Sequence, residues 1–193
     1  MGILFDIEQN GGSIRTRELK EGNDSLYYGL RKAISGGELV RVKQGVYMVP
    51  SELTDTMVDI QRIVPGGVLC LYSAWTYHEL STQIPDAYYV AVDTHRRVVV
   101  PDNPRFQLCY WTKKYCDLGA GWTEIAGHRV LISDLEKSVC DAVKFRNKVG
   151  MDVCLEVVKN YMRRKDRNLT KLMNYASRLR VAGIMKNYIE IQL

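Results

Sequence analysis

The chain has 193 residues, is 46% hydrophobic and 25% charged, and carries a net charge of +5, which is enough length and apolar content for one small and one medium domain with real cores. It has no apolar run of the ~18 residues that a membrane span needs. Its start, Met1-Gly2-Ile3-Leu4-Phe5-Asp6, lacks the basic lead and cleavage site of a secretion signal, and Asp6 stands where a myristoylation motif needs serine or threonine. A cytoplasmic protein without membrane contact is expected. The five cysteines (Cys70, Cys109, Cys116, Cys140, Cys154), odd in number and without a C-x-x-C pair, fit free thiols in a reducing compartment.

The first 35 residues divide into three short helical pieces. Ile3, Leu4 and Ile7 make a small apolar stripe that Gly11-Gly12 ends. Thr16 is placed to cap a second piece that stops at Gly22. Asn23-Asp24-Ser25 open a third, with Leu26, Leu30, Ala33 and Ile34 on one face and Gly36-Gly37 at its end. Next comes Leu39-Val40-Arg41-Val42-Lys43-Gln44-Gly45-Val46-Tyr47-Met48-Val49-Pro50, two short strands around a tight turn at Gly45. Alternation puts Arg41 and Lys43 on one side of this ribbon and Val40 and Val42 on the other. Three helices and a basic ribbon are the parts of a winged helix-turn-helix over residues 1–50, whose third helix enters the DNA major groove. The plainer reading is a surface hairpin whose cations keep an edge strand soluble.

The outward side chains suit duplex DNA. Ser25, Tyr27, Tyr28, Arg31 and Lys32 lie off the apolar stripe of the third helix, where hydroxyls and guanidinium reach phosphates and base edges. Arg15 and Arg17 flank the start of the second helix, and Arg41 and Lys43 sit on the ribbon. Residues 1–50 hold seven Lys/Arg against six Asp/Glu, so affinity depends on where the cations stand rather than on bulk charge.

A second domain, residues 51–193, is expected to be α/β with a helical C-terminal region, making the whole chain α+β. Thr54 to Val64 reads as a helix carrying Met57, Ile60 and Val64, and a second helix runs from Val68 to about Leu80. Strand-like alternation then covers 88–92, 97–100, 106–111, 122–125 and 128–132. Ser133-Asp134-Leu135-Glu136 has the form of a capping box, with Leu135, Val139, Ala142 and Val143 as the buried face of the helix that follows. Within that helix Asp141 is spaced to pair with Lys137 or Lys144 at its surface. Three more helices carry stripes at Val153/Val157/Tyr161, Leu169/Leu172/Met173/Ala176 and Val181/Ile184/Met185/Tyr188. Charge is uneven: residues 51–140 have eight basic and eleven acidic residues, and residues 141–193 have twelve against five. That balance asks for an anionic partner, nucleic acid or an acidic protein face.

No catalytic residue, metal ligand or cofactor is expected. His78 reads as a packed or capping residue, and His95 and His128 as solvent-facing; the three form no H-x-x-x-H pair. Glu136, Lys137 and Asp141 have the residue types of a metal-dependent nuclease, but all fall on one helix, and no P-loop sequence is present. The basic run Arg163-Arg164-Lys165-Asp166-Arg167 is either a solvated helix end or a contact patch, which Lys171, Arg178 and Arg180 extend.

The segments "LVRVKQGVYMVP", "GGVLCLYSAWTYHEL" (residues 66–80) and "ISDLEKSVCDAVKFRNKVG" (residues 132–150), in that order over nearly the whole chain, resemble the AbiE-type antitoxins, the AbiEi-like regulators of type IV toxin–antitoxin and abortive-infection phage-defence systems. The resemblance implies a winged-helix repressor that binds inverted repeats in double-stranded promoter DNA. It also implies a second domain that counteracts a nucleotidyltransferase-like toxin without a stable complex. Lys144, Lys148, Arg163, Arg164, Lys165 and Arg167 are the residues expected on the antitoxin surface. The alternative is a winged-helix regulator or phage-defence accessory whose second domain binds another partner.

Overall fold

The computed structural model describes residues 7, 12–19, 24–50 and 59–192, with the side chains of Glu18, Leu19, Asp24, Ser25 and Gln192 outside that description. The expected contributions of Ile3, Leu4, Gly11, Gly22, Asn23, Thr54 and Met57, and of the Ser25 side chain, therefore lie outside the described residues. The described residues form a mixed α+β protein with two sheets, and the chain divides into two compact units.

The first unit comprises Met1–Gly67, Arg97–Phe106 and Trp122–Val130. Its elements are β1 (Ser13–Arg15), α1 (Thr16–Leu19), α2 (Asp24–Ser35), β2 (Val40–Lys43), β3 (Val46–Met48) and α3 (Ile60–Ile63). Helix α2 stops where Gly37 turns left-handed at φ 74°. There Glu38 N–H bonds Ala33 O at 2.9 Å and Gly37 N–H bonds Ile34 O at 3.2 Å, the crossed pair that closes a helix at a glycine. The chain then forms a three-stranded antiparallel sheet in the order β1-β3-β2. The strand Ser13–Arg15 is too short to carry a periodic signal, and its pairing of Ile14 with Tyr47 comes from tertiary contact. A register shift between Arg41 and Lys43 breaks the expected alternation of the ribbon. Val42 is buried, Val40 is 40% exposed, Arg41 points outward, and Lys43 is half-buried. Ile7, Leu30, Ala33, Leu39 and Val49 make the core, with Leu26, Ile34 and Tyr47 packed on it.

The second unit comprises Val68–Arg96, Gln107–Gly121 and Leu131–Leu193. A five-stranded sheet of β4 (Val68–Leu69), β5 (Tyr88–Asp93), β6 (Phe106–Trp111), β7 (Ala120–Ile125) and β8 (His128–Ser133) has the order β6-β5-β4-β8-β7, and its residues 106, 122–125 and 128–130 are counted with the first unit. Strand β4 runs antiparallel to β5 and parallel to β8. The helices are α4 (Leu71–Tyr77), α5 (Lys113–Asp117), α6 (Leu135–Lys144), α7 (Arg146–Val149), α8 (Met151–Arg163), α9 (Leu169–Arg178) and α10 (Ala182–Gln192).

Two expected elements differ. Val68 and Leu69 form the central strand β4, and the helix begins only at Leu71, because an all-apolar run does not distinguish a buried strand from a buried helix. Residues 97–100 form no strand, and Val99 is 75% exposed. The C-terminal helices bury most of the stripes that their periodicity marks, namely Val153, Val157, Tyr161, Leu172, Ala176, Val181, Met185 and Tyr188, but Met173 and Ile184 are only half-buried and Leu169, at the start of its helix, is 39% exposed. Trp75 is the largest fully buried side chain, and its indole N–H reaches Ser138 O at 2.9 Å. The five cysteines are unpaired, all buried except the half-buried Cys109.

Candidate nucleic-acid interface and a buried charge network

Helix α2 buries Leu30 and Ala33 and turns Tyr27, Tyr28, Arg31 and Lys32 outward. The i, i+4 spacing of Tyr27 and Arg31 lets the guanidinium lie 5.9 Å from the ring centroid. Arg41 on β2 and Arg17 on α1 are exposed as well. Arg15 and Lys43 have a different place. Arg15 Nη2 donates to Gln61 O at 2.6 Å and Arg62 O at 2.8 Å, and Lys43 Nζ donates to Ile63 O. Two cations thus satisfy the open carbonyls at the C-terminal end of α3, where the partial charge is negative. Asp59 caps the other end, accepting from Arg62 N at 3.0 Å and pairing with Arg62 Nε at 3.1 Å.

In the second unit, the N-terminal half of α6 gathers charge inside the core. Asp134, not Ser133, is the N-cap, accepting from Lys137 N at 2.8 Å. Ser133 completes β8 instead. The capping box expected from Ser133 and Glu136 does not form, because Glu136 is drawn inward. Its carboxylate is 5% exposed and accepts from Lys171 Nζ at 2.9 Å and Asn168 N at 3.3 Å. Lys171 also reaches Asp134 Oδ2 at 3.1 Å, and Tyr175 OH donates to that oxygen at 3.0 Å. Burial opposes the Lys171 charge, yet Glu136 and Asp134 hold its pKa above the usual lysine range.

One turn along α6, Lys137 Nζ lies 2.6 Å from Asp141 Oδ1 and 2.7 Å from Oδ2. Tyr115 OH donates to Oδ1 at 2.6 Å. The ammonium sits 4.0 Å from the Tyr115 ring centroid and 4.9 Å from that of Trp111. The surface pair expected here is instead fully enclosed. Burial pushes the Asp141 carboxyl up from the ordinary range, against the opposing pull of Lys137 and Tyr115. With these side chains shut away from solvent, no substrate reaches them as they stand. The arrangement is an electrostatic clamp joining α6 to α5 and β6. The spacing of Lys137 and Asp141 signals the pair. Tyr115, Trp111, Lys171 and Tyr175 lie 22–41 positions away, beyond local pattern reading.

The basic residues of the C-terminal half separate into held and open groups. Lys144 Nζ bonds Leu179 O at 3.0 Å. Arg164 grips Asp166 through two bonds of 2.9 Å and donates to His78 O at 2.9 Å. Arg167 bonds Arg164 O at 2.6 Å. Lys148, Arg163 and Lys165 are exposed, with Lys148 5.9 Å from the Phe145 ring centroid. Leu135 is only half-buried, whereas Val139, Ala142 and Val143 are fully buried. Of the histidines, His95 is exposed, His78 is half-buried with Nε2 2.7 Å from Ser133 O, and His128, expected in solvent, is 8% exposed. Among the described residues no group of three His, Cys, Asp or Glu is placed to hold a metal ion, and no helix is long and apolar enough to cross a membrane.

Comparison with protein-family models and with curated proteins finds no match to this chain.

Proposed function

We propose that this protein is a DNA-binding transcriptional autorepressor that also acts as the antitoxin of a type IV toxin–antitoxin system. In this reading the first unit is a winged helix-turn-helix, α2 is its recognition helix, and the β2–β3 ribbon is its wing. The observation that carries it is the outer face of α2, where Tyr27, Tyr28, Arg31 and Lys32 stand together in solvent on a helix whose other face is packed, followed in sequence by the exposed Arg41. Such a face matches the phosphate and base-edge chemistry of the major groove. The antitoxin role, directed against a nucleotidyltransferase-like toxin, rests on the sequence resemblance. Lys148, Arg163 and Lys165 are the cations that the second unit offers for it.

Replacing Arg31, Lys32 and Arg41 together with glutamine tests the DNA reading. The expected outcome is a folded protein that no longer shifts its own promoter duplex. The salt slope of log K should flatten by roughly 2.7 if each cation contacts one phosphate. Undiminished binding by the triple variant would refute the assignment of α2 and the ribbon.

A further inference from the structure

Helix α2 offers two rows of side chains to solvent, Tyr27 with Arg31 and Tyr28 with Lys32, each at i, i+4 spacing. The rows are not equivalent. Tyr27 is 45% exposed, and the Arg31 guanidinium lies over its ring with Cζ 5.9 Å from the centroid. A ring against one side of a planar cation restricts its orientation and uses none of its N–H donors. Apart from that ring, the Arg31 side chain has no partner among the described residues. The backbone beneath it is held, since Ser35 Oγ donates to Arg31 O at 2.7 Å and the helix packs through Leu30 and Ala33. Lys32 is exposed too, but no ring lies against its ammonium among the described residues. These two cations suit different acceptors. Guanine presents O6 and N7 side by side in the major groove, a match for the two parallel donors of a guanidinium held in one plane. A point charge on a free four-carbon stem suits a phosphate, which can be approached from many directions.

We propose that Arg31 selects a guanine in the promoter duplex through its O6 and N7 atoms, with Tyr27 as the positioning residue that holds the guanidinium and Lys32 as a phosphate contact. This assignment rests on the reading of the first unit as a DNA-binding module, and it names the base that the module selects. It also divides the cations of that module. Of Arg31, Lys32 and Arg41, two remain for phosphates, so the slope of log K in the triple variant falls by roughly 1.8.

The test uses the full chain. It is titrated with its own promoter duplex and with duplexes in which each G·C pair in turn is replaced by A·T, over a salt series. Wild type is expected to lose about tenfold or more in affinity at a G·C pair that Arg31 reads. In Arg31→Ala that discrimination should collapse to within about twofold at this pair and persist at the others, with the salt slope unchanged. Lys32→Ala should weaken binding to every duplex alike and lower the slope by about 0.9. Tyr27→Leu, which removes the ring, should reduce the discrimination at the Arg31 pair about two- to fivefold. Tyr27→Phe should restore that ratio, whatever the lost hydroxyl does to overall affinity. Tyr27 and Arg31 are exposed, so these variants keep the fold. If wild type binds no duplex, the DNA reading falls and takes this assignment with it. If wild type binds but Arg31→Ala weakens all duplexes equally and lowers the slope by about 0.9, Arg31 is a phosphate contact; the proposal is overturned and the DNA reading stands. Undiminished discrimination in Arg31→Ala overturns it as well, and an unchanged ratio in Tyr27→Leu overturns the positioning role of Tyr27.

Discussion

Lys137 and Asp141 form an ion pair one turn apart on α6, with the ammonium 2.6 Å from the carboxylate and side chains 1% and 0% exposed. Exposed i, i+4 pairs are worth a few tenths of a kcal/mol, but desolvation makes this one a different object. Either partner alone would be an uncompensated charge in the core. Lys137→Met or Asp141→Leu should therefore each destabilise the protein by about 3–5 kcal/mol. The double variant removes both charges and should lose much less than the two singles combined. Urea denaturation of the four proteins measures the coupling directly, and additive losses would show that the pair is not the source of the effect.

Gly119 sets how closely the chain approaches this clamp. Its φ is 67°, and a Cβ there would lie 2.8 Å from Lys137 Cβ and 3.0 Å from both Asp134 carboxylate oxygens. Its carbonyl also accepts from Asp134 N at 2.7 Å. Gly119→Ala carries the left-handed backbone penalty of about 1–2 kcal/mol, with the displacement of the α6 N-cap added to it. A loss above 2 kcal/mol by thermal or urea unfolding is expected. Near-neutral behaviour would mean that α6 shifts freely and that its N-cap is not fixed by this contact.

These two sites mark the limit of what the chain's pattern reveals. The stripes Val153/Val157/Tyr161 and Val139/Ala142/Val143 are buried as their 3.6-residue period requires, because helical burial is a local regularity. The strand Val68–Leu69 is hidden, because a buried central strand has no alternation to display. The alternating ribbon is altered by a bulge that no single residue announces. Charge was the least legible property. Glu136 and Lys137 sit where a helix surface is expected, and only the tertiary partners Lys171, Tyr115 and Trp111 make their burial tolerable. Arg15 and Lys43 illustrate the same point, since the carbonyls that orient them belong to residues 61–63.

His78 provides a pH dependence of definite sign. Burial, aided by Arg164, lowers its imidazole pKa, while Ser133 O, Asp134 and Glu136 oppose that shift. The unfolded ring takes up its proton near pH 6.5, and the folded ring does so only at lower pH. Unfolded chains bind more protons in that window. The contribution of His78 is therefore fully present above about pH 6.5 and is lost as pH falls toward the folded value. His78→Gln keeps an N–H donor for Ser133 O without the titration. Melting curves over this range should show a shallower acid decline in the variant than in wild type; parallel curves would remove His78 from the pH response.

The division of the C-terminal cations into held and open groups gives the antitoxin reading a test with an internal control. Arg164 is tied to Asp166 and to His78 O, and Lys144 to Leu179 O, so reversing either charge disturbs structure. Arg164→Glu should lower the melting temperature, because it sets a carboxylate against Asp166 and leaves a carbonyl without its donor. Lys148, Arg163 and Lys165 are exposed, and surface substitutions of this kind change stability by only about 0.5 kcal/mol. The triple variant Lys148→Glu/Arg163→Glu/Lys165→Glu should keep the wild-type melting curve and still repress the promoter, since α2 and the ribbon are untouched. Against a co-expressed nucleotidyltransferase-like toxin from the same operon, it should lose most of its growth rescue. Full rescue by this variant at equal expression would take these three cations out of the antitoxin surface. Loss of rescue together with loss of fold in Arg164→Glu alone would identify that arginine as structural.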